Sequence, residues 1–131
     1  MILEYPAQAI AQARRQLGLP ASSAGSAWRV RRLAAPGAYF LVHVDEQLAC
    51  VEASTGVLMT SAGSVRPPVS VSRETAQAAL GAGAFAELVW KPCAASMSMF
   101  DPLWLVTQGE DSVFFDQRGK RWPTLPDAAP G

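Results

Sequence analysis

The sequence predicts an α+β fold made of two similar halves, each one helix packed on an antiparallel meander of three to four strands. Three observations predict it. Helical apolar spacing occurs twice, each time ending at a Leu-Gly step, Leu17-Gly18 and Leu80-Gly81. Each step is followed by short runs rich in β-branched and aromatic residues, divided by polar turns. A shift of 63 residues lays Leu17-Gly18 on Leu80-Gly81 and Gly56 on Gly119, with strand-like segments over strand-like segments. Identities between the halves are few, so the repeat rests on the order of elements.

In the first half, Pro6 suits a first helical position, where its missing N–H is not needed. Ile10, Ala13 and Leu17 share a stripe, Arg14 and Arg15 lie off it, and Gly18 supplies a left-handed cap, so a helix is expected over 6–17. Strands are expected at 28–33 and 39–44, where Phe40, Val42 and Val44 fall on one face and turn inward. Asp45-Glu46-Gln47 makes a polar turn, 48–53 returns, and Ser54-Thr55-Gly56 turns again into 57–61.

The second half opens with Ser72 as N-cap and Glu74 at the positive end of the helix dipole, with Ala76 and Leu80 as a thin apolar face before Gly81. Its strands are expected at 87–92, 103–107, 112–116 and 120–122. The two helix-plus-sheet units are expected to pack on each other. Val65-Arg66-Pro67-Pro68 divides one compact domain, 1–131, into repeats of about 1–64 and 65–125, with a Pro- and Ala-rich flexible tail at 123–131.

The first half resembles a PepSY-type domain, the small repeat named from peptidase propeptides. The resemblance lies in the helix ending at Leu17-Gly18, the strand Tyr39-Phe40-Leu41-Val42-His43-Val44, and the stretch Val51-Glu52-Ala53-Ser54-Thr55-Gly56-Val57-Leu58. That stretch is similar to the family's strand, Asp-Ala-x-Thr-Gly turn, strand ending, with Glu52 where Asp is common. Val113-Phe114-Phe115-Asp116-Gln117-Arg118-Gly119-Lys120 echoes it in the second half. The resemblance implies a non-enzymatic module, inhibitory or regulatory towards another protein, in a family whose members are usually exported or membrane-attached.

Composition narrows the function classes. Half of the 131 residues are apolar or aromatic and 17% are charged, which excludes a disordered tail protein. Eleven Lys and Arg balance eleven Asp and Glu, so there is no overall field to recruit nucleic acid or an anionic membrane. Glu4, Pro6, Arg14 and Arg15 interrupt the stretch an export signal would need to be apolar, so a cytoplasmic protein is expected. Cys50 and Cys93 are then expected as free thiols.

Candidate chemistry is sparse. His43 is the single imidazole, with Asp45 two residues on and Glu52 on the neighbouring strand, so a carboxylate-oriented base near a ligand pocket can be drawn. No nucleophile accompanies it, and the plainer reading is an amphipathic side chain at the edge of the core. Cys93, Met97 and Met99 are three soft ligands within seven residues, but Met also fills gaps and lines contact surfaces without a metal. Neither metal nor cofactor is expected. Gly81-Ala82-Gly83 follows a helix where a phosphate loop would open one. Arg29, Arg31 and Arg32, with Arg14 and Arg15, form a basic patch read as a charged defence of an unpaired strand edge.

The segment around Trp90, Met97, Met99, Phe100, Asp101 and Trp104 is rich in the side chains that carry protein interfaces. The expected function is a non-catalytic protein-binding module, an inhibitor or toxin-neutralising immunity protein, acting as monomer or homodimer on another protein. Met97, Met99, Phe100, Asp101 and Trp104 are its expected contacts. The alternative is a small-molecule-binding or enzymatic domain using His43, Asp45 and Glu52.

Overall fold

The helix α1 (Pro6–Leu17) forms where a proline entry, an alanine-rich stripe and a glycine exit coincide. Gln8 Oε1 accepts the N–H groups of Glu4 and Tyr5 at 2.7 and 2.9 Å, tying down the entry. At the exit Gly18 takes φ 70°, and the Leu19 N–H reaches the Arg14 carbonyl at 2.8 Å. The computed structural model describes residues 2–125. Its further elements are β1 (Gly25–Arg32), β2 (Ala38–Val44), β3 (Gln47–Glu52), β4 (Leu58–Gly63), α2 (Arg73–Ala78), β5 (Phe85–Trp90), β6 (Leu103–Gln108), β7 (Asp111–Phe115) and β8 (Arg121–Trp122). At α2 the Ser72 hydroxyl accepts the Thr75 N–H at 3.1 Å, the cap expected there.

All eight strands belong to one mixed sheet, in the order β4-β3-β2-β1-β5-β6-β7-β8. Every pairing is antiparallel except β1 with β5, where Arg31 and Arg32 run parallel to Val89 and Trp90. This corrects the expectation of two sheet units packed on each other: the sheet-forming segments join edge to edge. It also corrects the reading of the arginine patch, because β1 lies between β2 and β5 in the strand order and is not an edge strand of the sheet.

The sheet has a core on each face. On one, Ala9 and Ala13 of α1 pack against Phe40, Val42, Val44, Ala49 and Val51. On the other, Ala76 of α2 joins Val30, Tyr39, Leu41, Cys50, Leu88, Trp104 and Val106. Hence β2 is buried on both sides, Tyr39 and Leu41 as fully as Phe40 and Val42. Period two predicts one inward face; the second is covered by chain that carries no strand signal. Val69 and Val71, in the crossover from β4 to α2, and Met99 and Phe100, between β5 and β6, lie over it.

Side-chain hydrogen bonds lock those covering segments and the turns beside them in place. Gln117 accepts the N–H groups of Ser70 and Val71 at 3.0 Å each and donates to the Pro102 carbonyl at 3.0 Å. Trp104 Nε1 donates to the Val71 carbonyl at 2.8 Å. Gln16, on α1, donates to the Gly56 carbonyl and accepts the Leu58 N–H, both at 2.7 Å, holding the turn between β3 and β4. Of the tail expected at 123–131, residues 126–131 lie outside the described residues, while Leu125 packs against a third cluster containing Val89, Cys93 and Leu103. Among the described residues no helix is long and apolar enough to cross a membrane.

Candidate functional site

The connection from β5 to β6 leaves the sheet at Trp90, because Pro92 ends the pairing, and re-enters it at Leu103 after Pro102. Between them the chain folds on itself rather than trailing over the surface. Cys93 and Ser96 exchange backbone hydrogen bonds at 3.0 Å. The Ser96 hydroxyl accepts from Trp90 Nε1 at 3.1 Å and faces the carbonyls of Ser98 and Asp101. The Phe100 N–H meets the Ser98 hydroxyl at 3.1 Å, and the Asp101 N–H the Ser98 carbonyl at 3.0 Å. From below, the buried phenol of Tyr39 donates to the Met99 carbonyl at 2.7 Å.

A second support comes from the turn after β7. Arg118 reaches Asp101 Oδ2 at 3.2 Å, the Ala95 carbonyl at 3.3 Å and Asp116 Oδ2 at 3.5 Å. Asp116 is itself the hub of that turn, accepting the N–H groups of Arg118 and Lys120 and the indole N–H of Trp122 between 2.9 and 3.1 Å. Burial opposes its charge, but those donors and the guanidinium outweigh it, and the carboxyl sits below the ordinary range. At Asp101 the balance reverses: burial pushes its pKa up against the opposing pull of Arg118.

The five side chains expected as contacts therefore occupy different depths. Met97 is 68% exposed at the tip. Met99, Phe100 and Asp101 are half-buried, the first two resting on the α2-side core. Trp104 is buried at 2% exposure beneath the Arg73 guanidinium and is a support of the crossover rather than a surface. Beside the loop a shallow hollow of about 160 Å³ is bounded by Arg32, Ala34, Ala35, Trp90, Lys91 and Pro92. Ser96, Asp116, Gln117 and Arg118, which hold the loop, carry no signal in a reading by local pattern. The only hint is that 116–119 is a strand-to-strand turn opened by Asp116 and closed by Gly119, residue types that favour turns.

Residues His43, Asp45 and Glu52 are not gathered. His43 stands opposite Leu48 on β3, whereas Glu52 stands opposite Tyr39, four residues or roughly 13 Å along the strand. The His43 ring donates from Nε2 to the Ser64 carbonyl at 3.0 Å, so it pins the start of the crossover. Asp45 is exposed, in a two-residue turn where it and Glu46 take φ of 53° and 64°. Glu52 instead forms a two-pronged pair with Arg32, at 2.6 and 3.2 Å, which lowers its pKa. His43 lines none of the four surface hollows delimited by Glu74, Leu33, Arg32 or Ile2 and their neighbours.

Four of the five patch arginines are committed as well, while Arg29 is exposed on β1. Arg31 pairs with Glu87 at 2.6 Å, and Arg32 lies over the Tyr39 ring while holding Glu52. Arg14 donates to the Ser23 carbonyl and Arg15 to Gln12. The sulfurs do not converge: Cys93 lies in the cluster with Val89 and Leu103, Met99 in the α2-side core, and Met97 is in solvent. Cys50 and Cys93 are buried free thiols in different clusters, and burial pushes Cys50 up to about 12. Among the described residues no three His, Cys, Asp or Glu side chains form a metal-binding group. Comparison with protein-family models, with curated proteins and with solved structures finds no match in any of the three.

Proposed function

We propose that this is a non-catalytic protein-binding module, of the inhibitor or immunity kind, that acts in the cytoplasm and presents the 97–101 loop to another protein. One observation carries the reading: Met97 is a large exposed apolar side chain on a loop already held by Tyr39, Ser96 and Arg118. A loop ordered before contact loses little conformational freedom on binding, so its apolar tip contributes nearly its full burial to affinity. Phe100, the Trp90 rim of the adjacent hollow and Arg118 supply the aromatic and guanidinium groups that dominate such interfaces.

The build is that of a PepSY-like tandem. Element order supports it, since a helix and four strands occur twice in succession. So do the mirrored strand order about a parallel β1–β5 junction and the placement of α1 and α2 on opposite faces. Both are what a two-fold axis lying in the sheet along those strands would generate. Gly56 and Gly119, 63 residues apart, both take positive φ, at 74° and 85°.

The test compares partners retained from the native host by the wild-type chain, by a Met97→Asp, Phe100→Asp variant, and by Gln77→Ala on α2, outside the 97–101 loop. A partner held by the first and third baits and lost by the second supports the reading. Identical retention by all three refutes it.

A further inference from the structure

We propose that the β4 edge is a self-pairing site, through which two copies of this chain join antiparallel into one continuous sheet. This does not rest on the role given to the 97–101 loop. The two ends of the sheet are unlike. At one end β8 is two residues long and is followed by Pro123, so it offers almost no ladder. At the other, β4 runs for six residues with five of them exposed, and residues 57–65, Val-Leu-Met-Thr-Ser-Ala-Gly-Ser-Val, contain neither charge nor proline. Those are the devices by which an edge is ordinarily kept from further pairing. The one irregularity, a register shift opposite Cys50 and Val51, leaves the stretch from Thr60 onward regular.

Register decides what the edge can take. Ala62 pairs with Leu48 on β3, and the Ser64 N–H reaches the Glu46 carbonyl at 2.8 Å, so past the register shift Thr60, Ala62 and Ser64 bond inward. Alternation then turns the N–H and C=O groups of Ser61 and Gly63 outward. A two-fold axis perpendicular to the sheet and passing midway between the two Ser61 residues pairs Ser61 with its own copy and Thr60 with Ala62. It also brings Met59 alongside Gly63, where nothing lies within 4 Å of the site a Cβ would occupy. Side chains directly opposite share a face in this register, small groups meet small groups, and no like charges meet. A foreign strand needs its own match to these features; a second copy has it by symmetry.

Such a contact supplies about six backbone hydrogen bonds and buries exposed Val57, Met59 and Val65 at its ends. It covers less than the roughly 1,200–2,000 Å² of a standard stable interface, so the dimer is a weak, concentration-dependent one. Sedimentation of the full chain from 10 μM to 1 mM tests it. The expected result is a concentration-dependent dimer that weakens at least tenfold in Ser61→Pro. That substitution removes only an outward N–H and leaves the β3 ladder intact. Ala62→Lys, which sets a charge beside the axis on an exposed position, is expected to do the same and serves if the proline variant misfolds. A wild-type chain monomeric at 1 mM overturns the proposal, as does a dimer unaffected by both variants. So does a monomer whose captured partner is lost on Ser61→Pro, which would assign the edge to a foreign strand.

Discussion

Removing one buried hydroxyl should loosen the 97–101 loop without disturbing the sheet. In Tyr39→Phe the ring, fully buried in the core on the α2 side of β2, keeps its packing, and only the proton donated to the Met99 carbonyl at 2.7 Å is lost. Burial raises the pKa of the phenol, so it is a donor at any working pH. The remaining neighbour of that carbonyl, the Cys50 thiol at 3.9 Å, is a weak donor and cannot replace it. Leaving a half-buried carbonyl short of its donor costs about 1–2 kcal/mol. For a chain of this length that lowers the thermal midpoint by roughly 3–8 °C. If the loop opens locally, hydrogen exchange at the Phe100 and Asp101 amides quickens by roughly 5–30-fold, with β2 and β6 protected as before. Thermal melts and amide exchange on the two proteins measure both. A midpoint within about 1 °C of wild type, together with unchanged exchange at 97–101, refutes the account of how the loop is held.

Asp116→Asn should destabilise by about 1–3 kcal/mol at neutral pH, because one of its oxygens gives way to a donor among three N–H groups. The native pKa lies below the unfolded one, so the carboxylate's contribution is present above about pH 4 and fades as pH falls through the native value. Denaturant titrations at pH 7 and pH 3 should therefore show the gap between variant and wild type narrowing, and an equal gap at both counts against it. A double-mutant cycle on Arg32→Ala and Glu52→Ala should give a coupling of about 1–3 kcal/mol, above that of an exposed pair. The two side chains are only 13% and 21% exposed and meet through two bonds; coupling below 0.5 kcal/mol, a threshold from the exposed-pair range, would argue otherwise. Gly18→Ala, where the new methyl meets nothing within 4 Å, should cost about 1 kcal/mol from its φ of 70° alone. Urea unfolding checks this, and a neutral result would mean that the cap relaxes.

Local pattern made the elements legible. The stripe Ile10, Ala13, Leu17 and the Gly18 cap put α1 at Pro6–Leu17, and Ser72 marks the start of α2 as found. Each expected strand has a counterpart, displaced by at most about three residues at its start, because alternation and turn residues act within the segment itself. Arg31 and Arg32 misled for the complementary reason. Charge reads as solvent exposure until the partner is known, and Glu52 and Glu87 lie 20 and 56 residues away. The 97–101 loop was legible by composition, but its depth was not: Met97 and Trp104 carry the same interface signature, and one is in solvent while the other is buried.

What amino-acid order settled here is therefore short-range: which segments coil, which extend, where they turn, and that charge is balanced. The three-dimensional fold alone decided that β1 lies beside β5 and that both sheet faces are covered. It also separated His43 from Glu52 and set Asp116, Gln117 and Arg118 beneath a loop they do not adjoin in the chain. The reason is physical. Propensity and period are properties of neighbouring residues, whereas strand order, burial depth and ion pairing depend on which distant surfaces exclude water together.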